Sequence, residues 1–349
     1  MLPNLTVGLD LGDKVSRTCG VNAAGDQVFS DAVVTTPKGI EAYFSRLDKC
    51  RIVLEAGTHS PWVSRVLTGL GHETIVANSS LVYGSRRRKK RNDRMDAEFL
   101  ARQGRADVKL LHPITHRSEA AQQHLEMIRA RDQLVRARTK LINHVRGAVK
   151  SIGSRIRRCS AEAFARRAED ETPNEIRPAV QPLLEVIADL TRRINAFDQQ
   201  INRVVDECYP EAKRLQQPKG VGALTALSFV LLVEDPKRFK QSRDVGAYFG
   251  LVPKLDESGN SQPQLRITKA GDVLGRRLLV SAAQYILGPF GPECDLRRHG
   301  EAIARRGGKN AKKRAAVAVA RKLAVLMHRL WVSEASYDPH WVMNKKQAS

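Results

Sequence analysis

Apolar and polar positions follow two different periods along this chain. Over the first eighty residues they come in short bursts bounded by turn signals. Leu5–Leu9 is an apolar run that ends at Asp10. Val15–Val21 and Gln27–Val34 read as two more strands, joined through the hairpin signal Ala24-Gly25-Asp26. Arg51–Glu55, with Ile52, Val53 and Leu54 at its centre, is a fourth strand, and Glu73–Ala77 a fifth. Helices are predicted over Gly39–Leu47, entered near Pro37, and over Ser60–Leu70, opened by Ser60-Pro61 and closed by Gly71. The order β-β-β-α-β-α-β predicts a mixed sheet with helices on its faces. A helical stretch over Asp93–Gln103 follows.

From Ser118 to Ile152 the period becomes helical. Ile128, Val135, Ile142 and Val149 recur every seven residues. A second long helix is predicted from Pro178 to Cys208, with Ile187, Leu190, Ile194, Phe197, Ile201, Val204 and Cys208 spaced alternately by three and four. That spacing is the seam of a coiled coil. Two such helices fold back as an antiparallel hairpin or pair between subunits, and the connection over Arg155–Arg177 is polar and less regular. After Pro218 the pattern predicts helices over Leu224–Val233, Ser242–Phe249, Gly271–Tyr285 and Lys309–Trp331, with a loop around Pro253, Gly259 and Pro263. The expected organisation is an α/β domain over 1–112, a helical coiled-coil hairpin over 113–214 and a mainly α domain over 215–349.

Charge adds a partner to this outline. Lys and Arg number 59 against 37 Asp and Glu, a formal charge of +22. Such an excess costs self-repulsion in a compact chain and points to a polyanionic partner. Ten bases and the single acid Asp132 lie between Arg129 and Arg158, and eleven bases and two acids between Asp295 and Arg329. Both stretches read as phosphate tracks, which give affinity and salt dependence rather than sequence choice. Aromatic residues are 5% of the chain, so no stacking platform for single strands is evident. No apolar run is long enough for a membrane span, and the N-terminus has no secretory signal, so the expected location is the cytoplasm. The five scattered cysteines form no CxxC pair, which excludes a zinc finger and fits small buried apolar residues in a reducing compartment. The nine histidines show no ligand spacing, and His59 alone is kept as a neighbour of the acids below.

Four acids carry the candidate chemistry. Asp10 ends the first strand and Glu55 the fourth, so a sheet that pairs these strands brings both side chains out at one edge. Asp93 and Asp96 are three apart on a helix and share a face. Hard divalent cations take oxygen ligands of this kind. Two such ions can activate the attacking oxygen and stabilise the leaving one in phosphodiester chemistry. Ser258-Gly259 sits in a flexible segment flanked by bases, where a serine could attack a phosphodiester once activated. Pro218–Ala226, with Gly220-Val221-Gly222, has the form of a helix-hairpin-helix turn suited to a phosphate. No Walker lysine-serine pair accompanies it, so ATP use is not supported.

Val7-Gly8-Leu9-Asp10, Leu54-Glu55-Ala56-Gly57 and Asn92-Asp93-Arg94-Met95-Asp96-Ala97 resemble the motifs of DEDD-type insertion-sequence transposases of the bridge-RNA-guided "one-ten" family, relatives of the Piv invertases. Gly250-Leu251-Val252-Pro253, Ser258-Gly259, Ile267-Thr268-Lys269-Ala270-Gly271 and Arg276-Arg277-Leu278-Leu279 resemble the C-terminal domain of the same family. The resemblance covers the whole chain. It implies a RuvC-like N-terminal domain of RNase H fold, in which Asp10, Glu55, Asp93 and Asp96 bind Mg²⁺, two ions per site. It makes Ser258 the nucleophile that becomes joined to DNA, with Ser261 the alternative. The segment Glu257–Pro263 is less Gly-rich and less basic than the family's usual loop. Arg86, Arg87, Arg88, Lys89, Lys90 and Arg91, together with Lys269 and Arg276, are the expected nucleic-acid contacts. The implied partners are donor and target DNA, a noncoding bridge RNA, and other copies of the chain, as a dimer that assembles into a tetramer. The implied setting is a prokaryotic cytoplasm, with action at the nucleoid. Two other functions suit the residues: a RuvC-like junction nuclease that uses water, and a non-catalytic nucleic-acid scaffold.

Overall fold

In the computed structural model, residues 4–78, 93–256 and 265–341 are described. They fall into two compact units, Met1–Ser118 and Glu119–Ser349. In the first unit the five expected strands form one mixed sheet in the order β3-β2-β1-β4-β5. They are β1 (Leu5–Asp10), β2 (Val15–Asn22), β3 (Gln27–Val34), β4 (Arg51–Glu55) and β5 (Glu73–Ala77). The hairpins β1-β2 and β2-β3 are antiparallel, whereas β1-β4 and β4-β5 are parallel. Period-two alternation divides the sheet into two faces. Val7, Leu9, Ile52 and Leu54 share a core with Ile40 and Phe44 of helix α1 (Pro37–Phe44) and Val63 and Leu67 of α2 (Ser60–Gly69). Thr36 caps α1 by accepting from the Gly39 N–H at 3.1 Å. Helix α3 (Asp93–Ala106) packs on strands β1, β2 and β4. Its Ala97 and Ala101 cluster with Cys19 and Val21, and its Leu100 with Val53.

The second unit is helical. Helices α4 (Glu119–Ser151) and α6 (Arg177–Cys208) are the two long elements, with the short α5 (Phe164–Glu171) between them. Arg131 is paired with Asp198 at 2.6 and 2.9 Å, and Arg138 donates to Thr191 at 3.2 Å. Seven residues forward on α4 is seven back on α6, so the helices run antiparallel within one chain. Ile142, Val145 and Val149 pack with Val180, Leu184 and Ile187. Ile128, Ile201 and Val205, at the other end, join the core of the remaining helices. Those are α7 (Pro210–Arg214), α8 (Ala223–Val233), α9 (Asp244–Tyr248), α10 (Val273–Leu287), α11 (Asp295–Arg305) and α12 (Ala311–Ser333). Helix α8 is apolar nearly all round and lies at the centre, its residues 226–233 all buried.

Four points of the sequence reading need correction. The connection between the long helices contains α5, whose Phe164 and Ala168 are buried one turn apart. Helix α11 was not anticipated; its Gly300 is buried against Leu287 and Val319, where a Cβ would not fit. Cys208, placed on the α6 seam, is exposed, because a 3.6-residue turn drifts off a strict seam at the helix end. The helix expected over Ser242–Phe249 shrinks to α9. No helix among the described residues is long and apolar enough to cross a membrane.

Candidate active site

The parallel register sets Leu9 of β1 beside Leu54 of β4. The next residue on each strand is an acid, so Asp10 and Glu55 leave adjacent strand ends. Alternation puts both on the face that α3 covers, because Gly8 and Val53, two residues earlier on their strands, meet that helix. Gly8 is what lets α3 come close. A Cβ there would lie 2.6 Å from the Ala101 nitrogen and would collide with the Ala97 carbonyl oxygen. Gly104 makes the second close approach, against the Val53 side chain. With Ala97 seated over Gly8, the first turn of α3 carries Asp93 and Asp96 toward the end of β1.

The electrostatics of Asp10 report this convergence. Its carboxyl is pushed up to about 6, first by burial, then by the charges of Asp93, Asp96 and Glu55 in that order. Asp10, Glu55 and Asp96 are half-buried and Asp93 is exposed. Among the described residues, the charges of Asp93, Asp96 and Glu55 that raise Asp10 are all negative, so its ionised form is held at an electrostatic cost. Oxygen donors under mutual repulsion have the chemistry that a hard divalent cation relieves. Their spacing is open, however: among the described residues no group of three or more His, Cys, Asp or Glu is close enough to enclose a metal ion. His59 lies just before α2, four residues after Glu55. Its Nδ1 accepts from the Trp62 indole N–H at 3.2 Å, which leaves the proton on Nε2, 3.7 Å from Asp13.

Ser258 and Ser261 lie outside the described residues, as do Arg86–Arg91. The chain on either side of the serine segment is described. Pro253 and Ile267 form an antiparallel bridge. The Lys254 N–H donates to Arg266 at 2.9 Å, and the Thr268 N–H to Val252 at 2.9 Å. This ribbon ends at Gly271, where φ is +71° and a Cβ would collide with the Tyr248 carbonyl, so only glycine fits. Lys269 is exposed. The Arg276 guanidinium donates to the carbonyls of Ala270 at 2.7 Å and Phe249 at 3.1 Å, tying the ribbon's base to α10. The Pro218–Gly222 turn leads into α8, and Gly220, at φ +95°, packs within 3.1 Å of the Ala282 carbonyl as measured from an added Cβ.

The two basic stretches differ. On and after α4, Arg129 pairs with Asp272, Arg131 with Asp198, Arg136 with Asp132, Arg138 with Glu162 and Arg157 with Glu171. Arg146 donates to the Ile156 carbonyl at 3.0 Å. Arg131 and Arg138 are thus well covered and tie α4 to other parts of the unit, whereas Arg136 pairs within α4 and Arg157 stays exposed.

Comparison with known proteins follows the same division of the chain. A transposase family model of the DEDD IS110 type matches residues 7–153, and the model described as "Transposase IS116/IS110/IS902 family" matches residues 212–294. The chain is 30% identical to a putative transposase (y4pF/y4sB) of Sinorhizobium fredii, over 95% of this chain and 85% of that protein. It is 28% identical to the transposase for insertion sequence element IS1111A of Coxiella burnetii, over 95% and 90%. A probable family 20 transposase of Pseudomonas aeruginosa is 26% identical over 95% and 98%. The carboxylates at the end of the sheet and the ribbon around residues 253–267 both lie in matched segments, and the chain belongs to the IS116/IS110/IS902 family of transposases, proteins of DNA transposition.

Proposed function

We propose that this transposase cuts and rejoins DNA through a covalent phosphoserine link. The carboxylates of its RuvC-like unit hold Mg²⁺, and Ser258 is the nucleophile. The observation that carries this reading is Asp10, whose carboxyl is raised to about 6 by burial and by three neighbouring acids. Burial together with three like charges is the kind of environment that gathers at functional carboxylates. Asp10, Glu55, Asp93 and Asp96 would supply the oxygen donors, and bound Mg²⁺ would offset the phosphate's charge and activate the attacking oxygen.

The remaining steps belong to the chain's own groups. The Ser258 Oγ gives up its proton and bonds to phosphorus, while the bond from phosphorus to the 3′-oxygen breaks. The 3′-oxygen takes up a proton, leaving a free 3′-hydroxyl and DNA joined to serine. Exchange is the reverse step with a different 3′-hydroxyl attacking the phosphoserine, so bond count is conserved and no external energy source is needed. The described residues on either side of the serine, 250–256 and 265–271, are fixed at their base by Arg276, and exposed Lys269 suits a phosphate. Arg86–Arg91 would add further phosphate contacts.

Family resemblance supplies the rest of the reading. A bridge RNA pairs with donor and target DNA, and the carboxylates of one subunit act with the serine of another in a tetramer. A charge of +22 supports backbone binding with sequence choice left to base pairing. The division into parts at 1–112, 113–214 and 215–349 belongs to this reading too.

The test is a denaturing gel with labelled DNA, Mg²⁺ and the RNA flanking the gene. Wild type gives a protein–DNA adduct, and Ser258→Ala binds nucleic acid but gives none. Asp10→Ala likewise gives no adduct. Free cleaved ends without adduct from the wild type would replace this reading with a water-using nuclease.

A further inference from the structure

The second unit contains a groove of about 1960 Å³, walled by α11, α12 and the ribbon that flanks the serine segment. Helix α12 carries a repeat on its groove side. Exposed bases stand at Lys313 and Arg314, at Arg321 and Lys322, and at Arg329. Between them, half-buried, come Val317 with Ala318 and Val325 with Leu326. Basic and apolar pairs thus alternate turn by turn, and at 1.5 Å per residue the basic steps are about 12 Å apart. Arg266 and Lys269 line the groove from the ribbon, and Arg306 from the end of α11. Among the described residues, Lys313, Arg321, Lys322, Arg306 and Arg266 take part in no ion pair, unlike Arg129, Arg131, Arg136 and Arg138 of α4, while Arg329 lies over the Trp341 ring at 4.4 Å. His299 shows how closely they gather: burial and then the charges of Lys322 and Arg306 hold its pKa below the usual imidazole range.

We propose that this groove holds an unpaired strand of DNA, its phosphates on the basic steps of α12 and its sugars and bases against the apolar steps between them. A duplex would use the bases alone, because its own bases are stacked inside. An unpaired strand exposes base faces that need apolar cover as well as phosphates that need charge. The proposal rests on the strand-transfer reading in one respect. In sequence the ribbon's residues flank Ser258, so on that reading a strand lying there is the strand to be joined.

Anisotropy measurements on the full chain test it. The probes are a labelled mixed-sequence oligonucleotide as single-stranded DNA, as duplex DNA, and as RNA of the same sequence. The double variant Lys313→Glu/Lys322→Glu is expected to weaken single-stranded DNA binding about tenfold or more and to flatten its log-log salt slope by about 1.4, the value for two lost phosphate contacts. Val325→Gln is expected to weaken single-stranded DNA severalfold and leave the duplex unchanged. Arg203→Glu, an exposed charge reversal on α6, should leave single-stranded binding near wild type. Unchanged single-stranded DNA binding in the double variant would overturn the assignment, as would equal loss of duplex binding or a loss confined to RNA. The adduct gel separates the two claims. An adduct on wild type with groove variants that bind normally sinks the groove alone. No adduct on wild type, with single-stranded binding still lost in the variants, sinks the strand-transfer reading alone.

Discussion

Asp10 is the residue at which fold and chemistry meet most directly. Its raised pKa has a definite consequence for the metal-free protein. The folded value, about 6, lies above the ordinary 3.8. Between those values the native state binds more protons than the unfolded chain, so stability falls as pH rises through this window. Thermal melts in EDTA should therefore give a higher Tm near pH 5 than near pH 7. Asp10→Asn removes the charge that its neighbours oppose. In EDTA at pH 7 it should melt a few degrees above wild type, and Mg²⁺, which should raise the wild-type Tm, should lose most of its effect. A wild type indifferent to Mg²⁺ would count against the carboxylates as a metal site. Gly8 is the second residue of this kind, though it bears no chemistry. Gly8→Ala would force α3 off the sheet, at a cost of about 1–3 kcal/mol or more for overpacking against backbone. It should lower the Tm and abolish the adduct together, because Asp93 and Asp96 move with the helix.

At the scale of elements, α4 and α6 are held by two different devices. Buried aliphatic residues make the seam, and ion pairs such as Arg131–Asp198 fix its register. The seam should dominate the energetics. Ile187 is fully buried, and Ile187→Ala should cost about 2–5 kcal/mol in urea unfolding, as large-to-small core changes do. Asp198→Ala, at a partly exposed pair, should cost about 1 kcal/mol or less. A larger penalty from Asp198→Ala than from Ile187→Ala would reverse this ranking. The turn between α10 and α11 has its own clasp. Arg297 donates to the carbonyls of Ile286, Gly288 and Gly291 at 3.2, 2.9 and 2.8 Å, which fixes the entry to the helix that walls the groove.

For the whole molecule, the net charge sorts into used and unused parts. Arg129, Arg131 and Arg138 of α4 are paired with acids elsewhere in the second unit, and bases of α12 face a groove. Nucleic-acid binding should weaken steeply with salt, and charge reversals on α12 should change the salt slope more than reversals on α4 do. Reversals at Arg131 or Arg138 should instead show first as lost stability in urea. If α4 and α12 variants shifted the salt slope equally, this division of charge would be wrong.

Much of this protein is determined by local sequence. The five strands, their order and both long helices follow from period and turn chemistry, which act within a few residues of each other. Asp10 and Glu55 as strand-end acids are legible for the same reason. Helices α5 and α11 escaped because their apolar signal is too brief: α5 offers Phe164 and Ala168, and α11 is broken by Gly300 and rich in charge. The tertiary structure decided what depends on distant partners. The meeting of Asp93 and Asp96 with Asp10 needs Gly8 beneath Ala97, a contact between segments some ninety residues apart. Whether an arginine faces solvent or an acid across a helix pair is likewise invisible to composition. Charge is counted along a chain, but its availability is set by packing, and only packing shows the basic steps of α12 open to a strand.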